Sequence, residues 1–189
     1  MAGDPLEEVM DYLASHFFGK YRGSVVDNAD TTDRGRLKVE VPAVLGSQTV
    51  WALPCVPYAG AGVGFYALPE AGTAIWVEFE GGDPSFPVWS GCFWADDELP
   101  DDGGAAVKIL KTEKGTLKID DGPGDVEISN DRDSIVTLGE EATIEAAAGG
   151  STARHVVGGS GVLSESGSGA TVDLDGSGVS VNNGALEVA

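Results

Sequence analysis

The sequence predicts an all-β protein with a short N-terminal helix, a small antiparallel barrel and a C-terminal shaft of short strands shared between three chains. Three observations support this fold class. Apolar residues stand at helical spacing near the N-terminus, turn-punctuated strand patterns follow, and apolar pairs at positions i and i+2 recur towards the C-terminus. We therefore predict a helix (1–19), a barrel (20–94), a linker (95–107) and a shaft (108–189).

The helix is predicted over residues 4–18, where apolar side chains alternate with acidic ones at helical spacing. Asp4 and Pro5 form a favourable helix start, and Glu7 and Glu8 stand near the positive end of the helix dipole. We expect this amphipathic helix either to cover the barrel or to dock on a partner.

The barrel is predicted from short segments of alternating apolar and polar residues separated by Gly, Pro, Asn and Asp turns. About five or six strands in residues 20–94 suit a small closed barrel, because closure leaves no exposed strand edge. We predict that Gly81-Gly82-Asp83-Pro84 is the tight corner before the last barrel strand, since glycine adopts unusual backbone angles and proline fixes φ.

The composition changes beyond the acidic linker. Residues 108–189 contain no Trp, Tyr, Phe, Cys or Met, and their apolar pairs predict very short strands separated by Gly, Asn or Asp turns. The pairs are Leu117/Ile119, Val126/Ile128, Val136/Leu138, Ile144/Ala146, Val172/Leu174, Val179/Val181 and Leu186/Val188. Residues 147–169 keep the composition but lose the rhythm of the pairs.

Two apolar residues per strand make too thin a core for one chain, so each strand must bury its apolar face on neighbours. Three identical chains around a common axis meet this need, because each supplies one side of a shared triangular core. The shaft is therefore predicted to be an intertwined homotrimeric β-helix. The alternative is a disordered Gly/Ser/Asp tail, although such tails lack β-branched residues at period two.

The charge of the chain bears on its partners. Eleven Lys and Arg residues stand against 31 Asp and Glu, a formal net charge of −20. This balance argues against nucleic acid, whose binding needs cationic groups on phosphates, and against an anionic membrane surface. No apolar run approaches the roughly 20 residues of a membrane helix. We expect no stable membrane anchoring. We also expect the protein to be assembled in the cytoplasm.

One dense basic cluster, Arg34, Arg36 and Lys38, lies within the predicted barrel. A barrel with such a cluster could stack nucleic-acid bases on aromatic rings. The candidate rings are Trp51, Trp76, Trp89 and Trp94. Because the net charge opposes this function, we expect Arg34 and Arg36 to form salt bridges with neighbouring carboxylates or to contact a partner.

The sequence shows no catalytic machinery. The carboxylate pairs Asp120-Asp121 and Glu140-Glu141 could suggest glycoside hydrolysis, but they stand in a region without aromatic residues to bind sugar. We interpret both as turn and surface residues. No cluster of Cys, His or carboxylates has zinc spacing, and no Gly-rich loop with Lys suggests a phosphate site. We therefore predict no enzyme activity, no metal and no cofactor.

Cys55 and Cys92 are too few for a disulfide framework and lack CxxC spacing. We predict two buried thiols that behave as small apolar groups. A single disulfide across the barrel stays open as the alternative.

The barrel carries a family pattern: a GR-x-x-V strand ending in Pro, a later Trp, a Gly-Phe pair followed by P-x-x-G, and F-x-x-G-D-P-x-x-P before a last strand that closes on Gly. The matching residues are Gly35, Arg36, Val39, Pro42, Trp51, Gly64, Phe65, Pro69, Gly72, Phe79, Gly82, Asp83, Pro84, Pro87 and Gly91. This stretch resembles the OB-fold domain of phage baseplate assembly protein V. The same domain occurs in the VgrG spikes of type VI secretion and in the spikes of extracellular contractile injection systems.

The resemblance implies a homotrimeric central spike of a contractile injection machine, part of a phage or injection-system baseplate particle. Residues 112–129 are similar to the start of the family's triple-stranded β-helix. No hub domain precedes the barrel and no lysozyme domain follows it, so the resemblance implies a stand-alone spike seated on a separate baseplate hub protein. The alternative is an adaptor or carrier that presents an effector or tip protein at its C-terminus.

The resemblance also suggests contact residues. Hub or intersubunit contacts are expected at Arg34, Arg36, Trp89 and Trp94. Some spikes of this family close their own tip with His-x-His motifs around an iron ion, but this sequence has no such motif, and its nearest histidine is His155. We therefore expect a separate PAAR-like tip protein to sit on Leu186 and Val188, an apolar end of the shaft.

Overall fold

The computed structural model describes residues 4–100 and 104–188. The chain divides into two compact units, residues 1–98 and 99–189, and each is described by itself. The predicted linker at 95–107 spans this division.

Helix α1 (Pro5–Ser15) begins the first unit and confirms the predicted helix. Asp4 caps it, because its Oδ1 accepts the backbone N–H of Leu6 at 3.0 Å. The helix ends earlier than predicted, since the backbone N–H of Phe17 donates to the carbonyl of Gly82 at 2.7 Å and draws the chain onto the barrel. None of the residues of α1 is buried.

The strands of the first unit form a closed barrel. In chain order the elements are β1 (Tyr21–Asp27), β2 (Leu37–Glu40), α2 (Pro42–Leu45), β3 (Thr49–Pro54), β4 (Ala59–Gly60), β5 (Val63–Gly64), β6 (Ala74–Phe79) and β7 (Pro87–Cys92). The barrel order is β1-β2-β3-β7-β6, with β6 pairing back onto β1, while β4 and β5 form a separate hairpin. All barrel pairs are antiparallel except the parallel pair of β3 with β7.

The core of the first unit lies inside this barrel. Strand β6 shows how it forms, since Ile75, Val77 and Phe79 point inwards and alternate with half-buried residues. The buried apolar residues are Val25, Leu37, Val39, Val41, Ala52, Ile75, Val77, Phe79 and Trp89. Burying one Val, Leu or Ile side chain contributes about 1.5–3 kcal/mol. The barrel therefore has a core of its own.

The predicted corner before β7 is confirmed. After β6 the chain makes a 3-10 turn at Glu80–Gly82, in which Gly81 has φ 60° and Gly82 has φ 85°. A Cβ atom on Gly82 would lie 2.9 Å from the ring of Phe18, so this position needs glycine for space as well as for backbone angle.

The second unit is a single ten-stranded antiparallel sheet. Its strands are β8 (Val107–Lys111), β9 (Gly115–Asp120), β10 (Asp125–Asn130), β11 (Ser134–Leu138), β12 (Ala142–Ala148), β13 (Ser151–Gly158), β14 (Gly161–Glu165), β15 (Thr171–Asp175), β16 (Gly178–Val181) and β17 (Leu186–Val188). Each strand pairs with its neighbours in sequence. The short turns between strands return the chain directly, which favours hairpins within one chain.

This sheet differs from the predictions in two respects. Pairing lies within the chain, so the structure of one chain does not show the predicted intertwined β-helix. The irregular segment 147–169 also forms regular strands, β13 and β14. Small or polar residues such as Ala153, His155 and Ser164 stand at positions where the other strands carry apolar pairs, and this hides the rhythm.

Among the described residues, no helix is long and apolar enough to cross a membrane.

Candidate functional site

One loop of the barrel surface is organised by a carboxylate. Asp30 accepts hydrogen bonds from Arg36 Nε at 3.1 Å and Arg36 Nη2 at 2.7 Å through Oδ1. Its Oδ2 accepts the backbone N–H groups of Arg34 at 3.0 Å and Arg36 at 3.2 Å. The Arg36 guanidinium holds the pKa of Asp30 far below its usual range, and burial opposes this shift only in part.

Arg36 and Arg34 therefore have different surroundings. Arg36 forms the expected salt bridge, and its guanidinium also lies over the ring of Trp51, with Cζ 5.2 Å from the centroid. The side chain of Arg34 is exposed, and its backbone alone ties it to Asp30. Of these two predicted contact residues, Arg34 is the one whose side chain extends into solvent.

The two tryptophans predicted to make contacts also differ in burial. Trp89 lies in the barrel core with 4% of its surface exposed, and its Nε1 donates to the carbonyl of Gly35 at 3.3 Å. The structure thus corrects its assignment: Trp89 is a core residue and presents no face to another chain. Trp94 follows β7 and is 65% exposed, so it remains on the surface.

A second cation–aromatic cluster lies on the barrel wall. The guanidinium carbon of Arg22 is 5.7 Å from the ring centroid of Trp76 and 5.3 Å from that of Phe93. The two rings contact each other with centroids 4.8 Å apart. Because an arginine covers a ring face in both this cluster and the Trp51 cluster, neither offers a bare aromatic platform.

An aromatic loop was missed by the sequence reasoning. The β4–β5 hairpin exposes Tyr58, Val63, Phe65 and Tyr66 around a concavity on the barrel surface. Gly64 has φ 151°, and a Cβ there would lie 2.8 Å from the carbonyl of Tyr58. The alternation of glycines and aromatics in this stretch is the signal that the sequence offers for it.

The prediction of buried thiols is wrong. Cys55 and Cys92 are both free and exposed. They stand at or just beyond strand ends, where the alternation of inward and outward side chains no longer protects them. Desolvation by its surroundings, and to a smaller extent the charge of Glu70, raise the pKa of the Cys92 thiol.

The sheet of the second unit has one apolar face. Because paired residues share a face and side chains alternate along each strand, the register places the predicted apolar pairs together in two adjacent rows. The first row is Leu110, Leu117, Ile128, Val136, Ile144, His155, Ser164, Val172, Val181 and Leu186. The second row is Ile119, Val126, Leu138, Ala142, Val157, Val162, Leu174 and Val179. We call these two rows the apolar face.

The opposite face is mainly polar. Its central row includes Lys118, Glu127, Thr137, Thr143, Asp173 and Ser180. Arg154 also lies there and pairs with Glu165, Nε to Oε2, at 3.1 Å. The apolar exceptions are Ile109, Ile135, Val156 and Leu163.

The apolar face is uncovered in a single chain. Its exposed large side chains range from 36% exposed at Val179 to 60% at Leu186. None of the residues from 104 to 186 is buried. The two pairs Asp120-Asp121 and Glu140-Glu141 stand at strand ends and turns, consistent with their predicted role.

The predicted tip residues lie on the last strand. Leu186 is exposed at the end of the first row of the apolar face. The backbone of Val188 pairs with Val179, and its side chain lies outside the described residues. Within the described part of the chain, no group of three or more His, Cys, Asp or Glu residues could hold a metal ion.

The barrel topology defines the class of the first unit. Counting only barrel strands, the order is first, second, third, fifth, fourth, and the fourth closes onto the first. A closed five-stranded barrel of this kind is an OB-fold. Residues 21–94 match the sequence model of the family described as the Type VI secretion system/phage-baseplate injector OB domain.

The family resemblance of the barrel is therefore confirmed, and it supports a structural role of the baseplate or spike type. The match spans the barrel and leaves out α1 and the sheet. No curated protein matches the chain.

Proposed function

We propose that the protein is the homotrimeric central spike of a contractile injection machine, seated on a hub protein and driven through a target envelope. The observation that carries this proposal is the order of the two units. A barrel of the baseplate-injector family precedes a sheet that gathers its apolar pairs on one face and has no buried residue among 104–186.

The uncovered apolar face supports assembly from several chains. Soluble monomers rarely expose contiguous apolar patches beyond a few hundred Å². Three copies with their apolar faces inward would enclose a triangular core, and each polar face would remain in water. Since burial is worth about 25 cal/mol per Å² of apolar surface, this face is a large source of association free energy.

A shaft built in this way suits mechanical work. Every strand except the two at the ends of the sheet is paired on both sides, so few backbone N–H and C=O groups of the sheet lack a hydrogen bond. Sheath contraction would push the shaft as one rigid body. No catalytic step is required, and we propose no enzyme activity.

Hub seating is proposed for the barrel and α1. The apolar side of α1 carries the exposed residues Leu6, Val9, Met10 and Leu13, which no part of the described chain covers. Arg34 and Trp94 offer further exposed side chains on the barrel. We propose a baseplate hub protein as the occupant of these surfaces and no nucleic acid, because both arginine-covered ring clusters lack an open stacking face.

A PAAR-like tip protein is proposed as the partner of Leu186 and Val188 at the last strand. The second candidate function, an adaptor that presents an effector, rests on the same exposed end. In both cases the protein assembles in the cytoplasm as part of a baseplate particle.

The first test is the mass of the full-length protein in solution. Light scattering should give about three times the chain mass of 19.4 kDa. A monomer that keeps its β-sheet circular dichroism signal would contradict the trimeric spike. Capture of the co-expressed hub protein, lost on Leu13→Glu and kept on Asp11→Asn, would then test the seating.

A further inference from the structure

The first row of the apolar face is interrupted at one place. Eight of its ten members are apolar, and the two exceptions are neighbours across the β13–β14 pair: His155 and Ser164. They are followed on either side by Ile144 and Val172. A polar pair in the middle of an otherwise apolar row needs a physical explanation, because buried polar groups are costly when unsatisfied.

The geometry of the pair leaves one imidazole nitrogen available. His155 Nδ1 and Ser164 Oγ are 2.7 Å apart and form a part-buried hydrogen bond. Within the described residues, His155 Nε2 has no hydrogen-bond partner. Ala146 and Ala153 are small and lie in the same shallow concavity, so the imidazole edge is not covered from its own chain.

Charged side chains of the same strands face the other way. Arg154 and Glu165 pair with each other on the polar face of the sheet. The imidazole and the hydroxyl therefore stand in the first row of the apolar face between Ile144 and Val172, although Arg154 and Glu165 also border the concavity. In the assembly proposed above, three copies of the imidazole–hydroxyl pair would meet at one level of the shaft. The three Nε2 atoms would then be shielded from water at the same place.

We propose that His155 from each of three chains binds one divalent transition-metal ion of the zinc class inside the shaft. This inference rests on the proposed trimer. Three imidazole nitrogens are a known ligand set for Zn²⁺, with water at the fourth position. Imidazole suits zinc, copper, iron and nickel, whereas Mg²⁺ and Ca²⁺ require oxygen ligands.

Ser164 has a positioning role in this site. Metal-binding histidines usually donate their second ring N–H to a neighbouring acceptor, which fixes the tautomer and the ring orientation. In the tautomer that the proposed site requires, Nδ1–H donates to Ser164 Oγ, and the lone pair of Nε2 is left for the ion. The sequence alone predicted no metal because one chain supplies only one ligand, and symmetry must supply the others.

The experiment uses full-length trimer, stripped with a chelator, dialysed and titrated with Zn²⁺. We expect one ion per three chains by elemental analysis, and visible absorption typical of four-coordinate Co²⁺ when cobalt replaces zinc. Zinc should raise the apparent melting temperature by about 5 °C. His16→Ala is the matched control, because the chain has only two histidines, and it should bind the ion unchanged.

Three variants isolate the site. His155→Ala should lose the ion, and Ser164→Ala should weaken its affinity by about 10-fold, the typical effect of an orienting partner. His155→Val should still form trimers, because it continues the apolar row, and its melting temperature should no longer respond to zinc.

The outcomes separate this inference from the proposed function. A trimer that binds no ion, or that keeps the ion after His155→Ala, overturns the metal site and leaves the spike intact. Zinc bound at one ion per chain also overturns it. A wild-type protein that is monomeric by light scattering overturns the proposed trimer, and the metal site with it.

Discussion

Arg36 donates hydrogen bonds from both Nε and Nη2 to the same oxygen of Asp30, at 3.1 and 2.7 Å. The other Asp30 oxygen holds two backbone N–H groups of the same loop. One carboxylate thus fixes both the loop between β1 and β2 and the side chain that covers Trp51. We therefore expect the ionisation of Asp30 to affect the stability of the whole barrel.

The first prediction concerns acid. The folded-state pKa of Asp30 lies below the value of about 3.9 for a free aspartate. Its contribution to stability is therefore complete above that value and is lost as the pH falls through the folded-state pKa. The unfolding midpoint, followed by tryptophan fluorescence between pH 2 and pH 7, should fall less steeply with acid in Asp30→Asn than in wild type. All tryptophans lie in the barrel, so this signal reports on it alone.

Asp33→Asn is the control for this experiment, because Asp33 is an exposed residue of the same loop. It should follow the wild-type pH profile. If the unfolding midpoint falls equally steeply with acid in Asp30→Asn and wild type, Asp30 is not the cause of the acid dependence.

The second prediction tests the apolar face. Val126→Asp would place a carboxylate from each chain in the proposed shared core, and every unpaired buried charge costs several kcal/mol. We expect no trimer by light scattering. Glu127→Asp changes a neighbouring residue on the polar face and should alter stability by no more than about 0.5 kcal/mol. Trimers of both variants would show that the apolar face is not the interface.

The third prediction separates two tryptophans. Trp89→Ala removes a core side chain and should destabilise the barrel by about 3–5 kcal/mol in urea unfolding. Trp94→Ala should stay within about 0.5 kcal/mol of wild type and should reduce capture of the hub protein. An unaltered capture of the hub by Trp94→Ala would place its contact elsewhere.

The fourth prediction concerns the corner before β7. Gly81 and Gly82 both have positive φ, but only Gly82 has no room for a Cβ. Gly81→Ala should cost about 1–2 kcal/mol for backbone angle alone. Gly82→Ala should cost at least about 1 kcal/mol more, because its methyl group overlaps the Phe18 ring. Similar unfolding free energies for the two variants would mean that Phe18 moves aside freely.

The fifth prediction concerns the last strand. A spike truncated after Asn183 should still form trimers and should lose capture of the co-encoded tip protein. Leu186→Asp should act in the same way, whereas Asn183→Asp should bind normally. Capture by the truncated trimer would exclude residues 184–189 as the seat.

The barrel was predictable where burial alternates strictly. Ile75, Val77 and Phe79 carry the period of two that places them inside, and Gly82 marks the corner. The short helix α2 was missed because its four residues are too few for a helical period. The burial of Trp89 was also missed, since sequence does not distinguish an inward aromatic from an outward one near a strand end.

The strands of the sheet were predictable from the sequence, but their pairing with one another was not. Apolar pairs such as Leu117/Ile119 defined each strand, and the register then brought them to one face. Strands β13 and β14 escaped detection because His155 and Ser164 replace apolar residues in the same row. His155 and Ser164, which interrupt the apolar pattern, are also the residues on which the proposed metal site depends.

The neighbour-to-neighbour pairing of β8 to β17 has a kinetic consequence. Ladders between adjacent segments give a low contact order and need little loop-closure entropy, so each hairpin can form within microseconds. In the proposed trimer, the hairpins of one chain would form before two others arrive, and its apolar face would be open during that interval. Production of the proposed trimeric spike would then be governed by the encounter of three chains, and slow or sparse synthesis would expose the protein to aggregation.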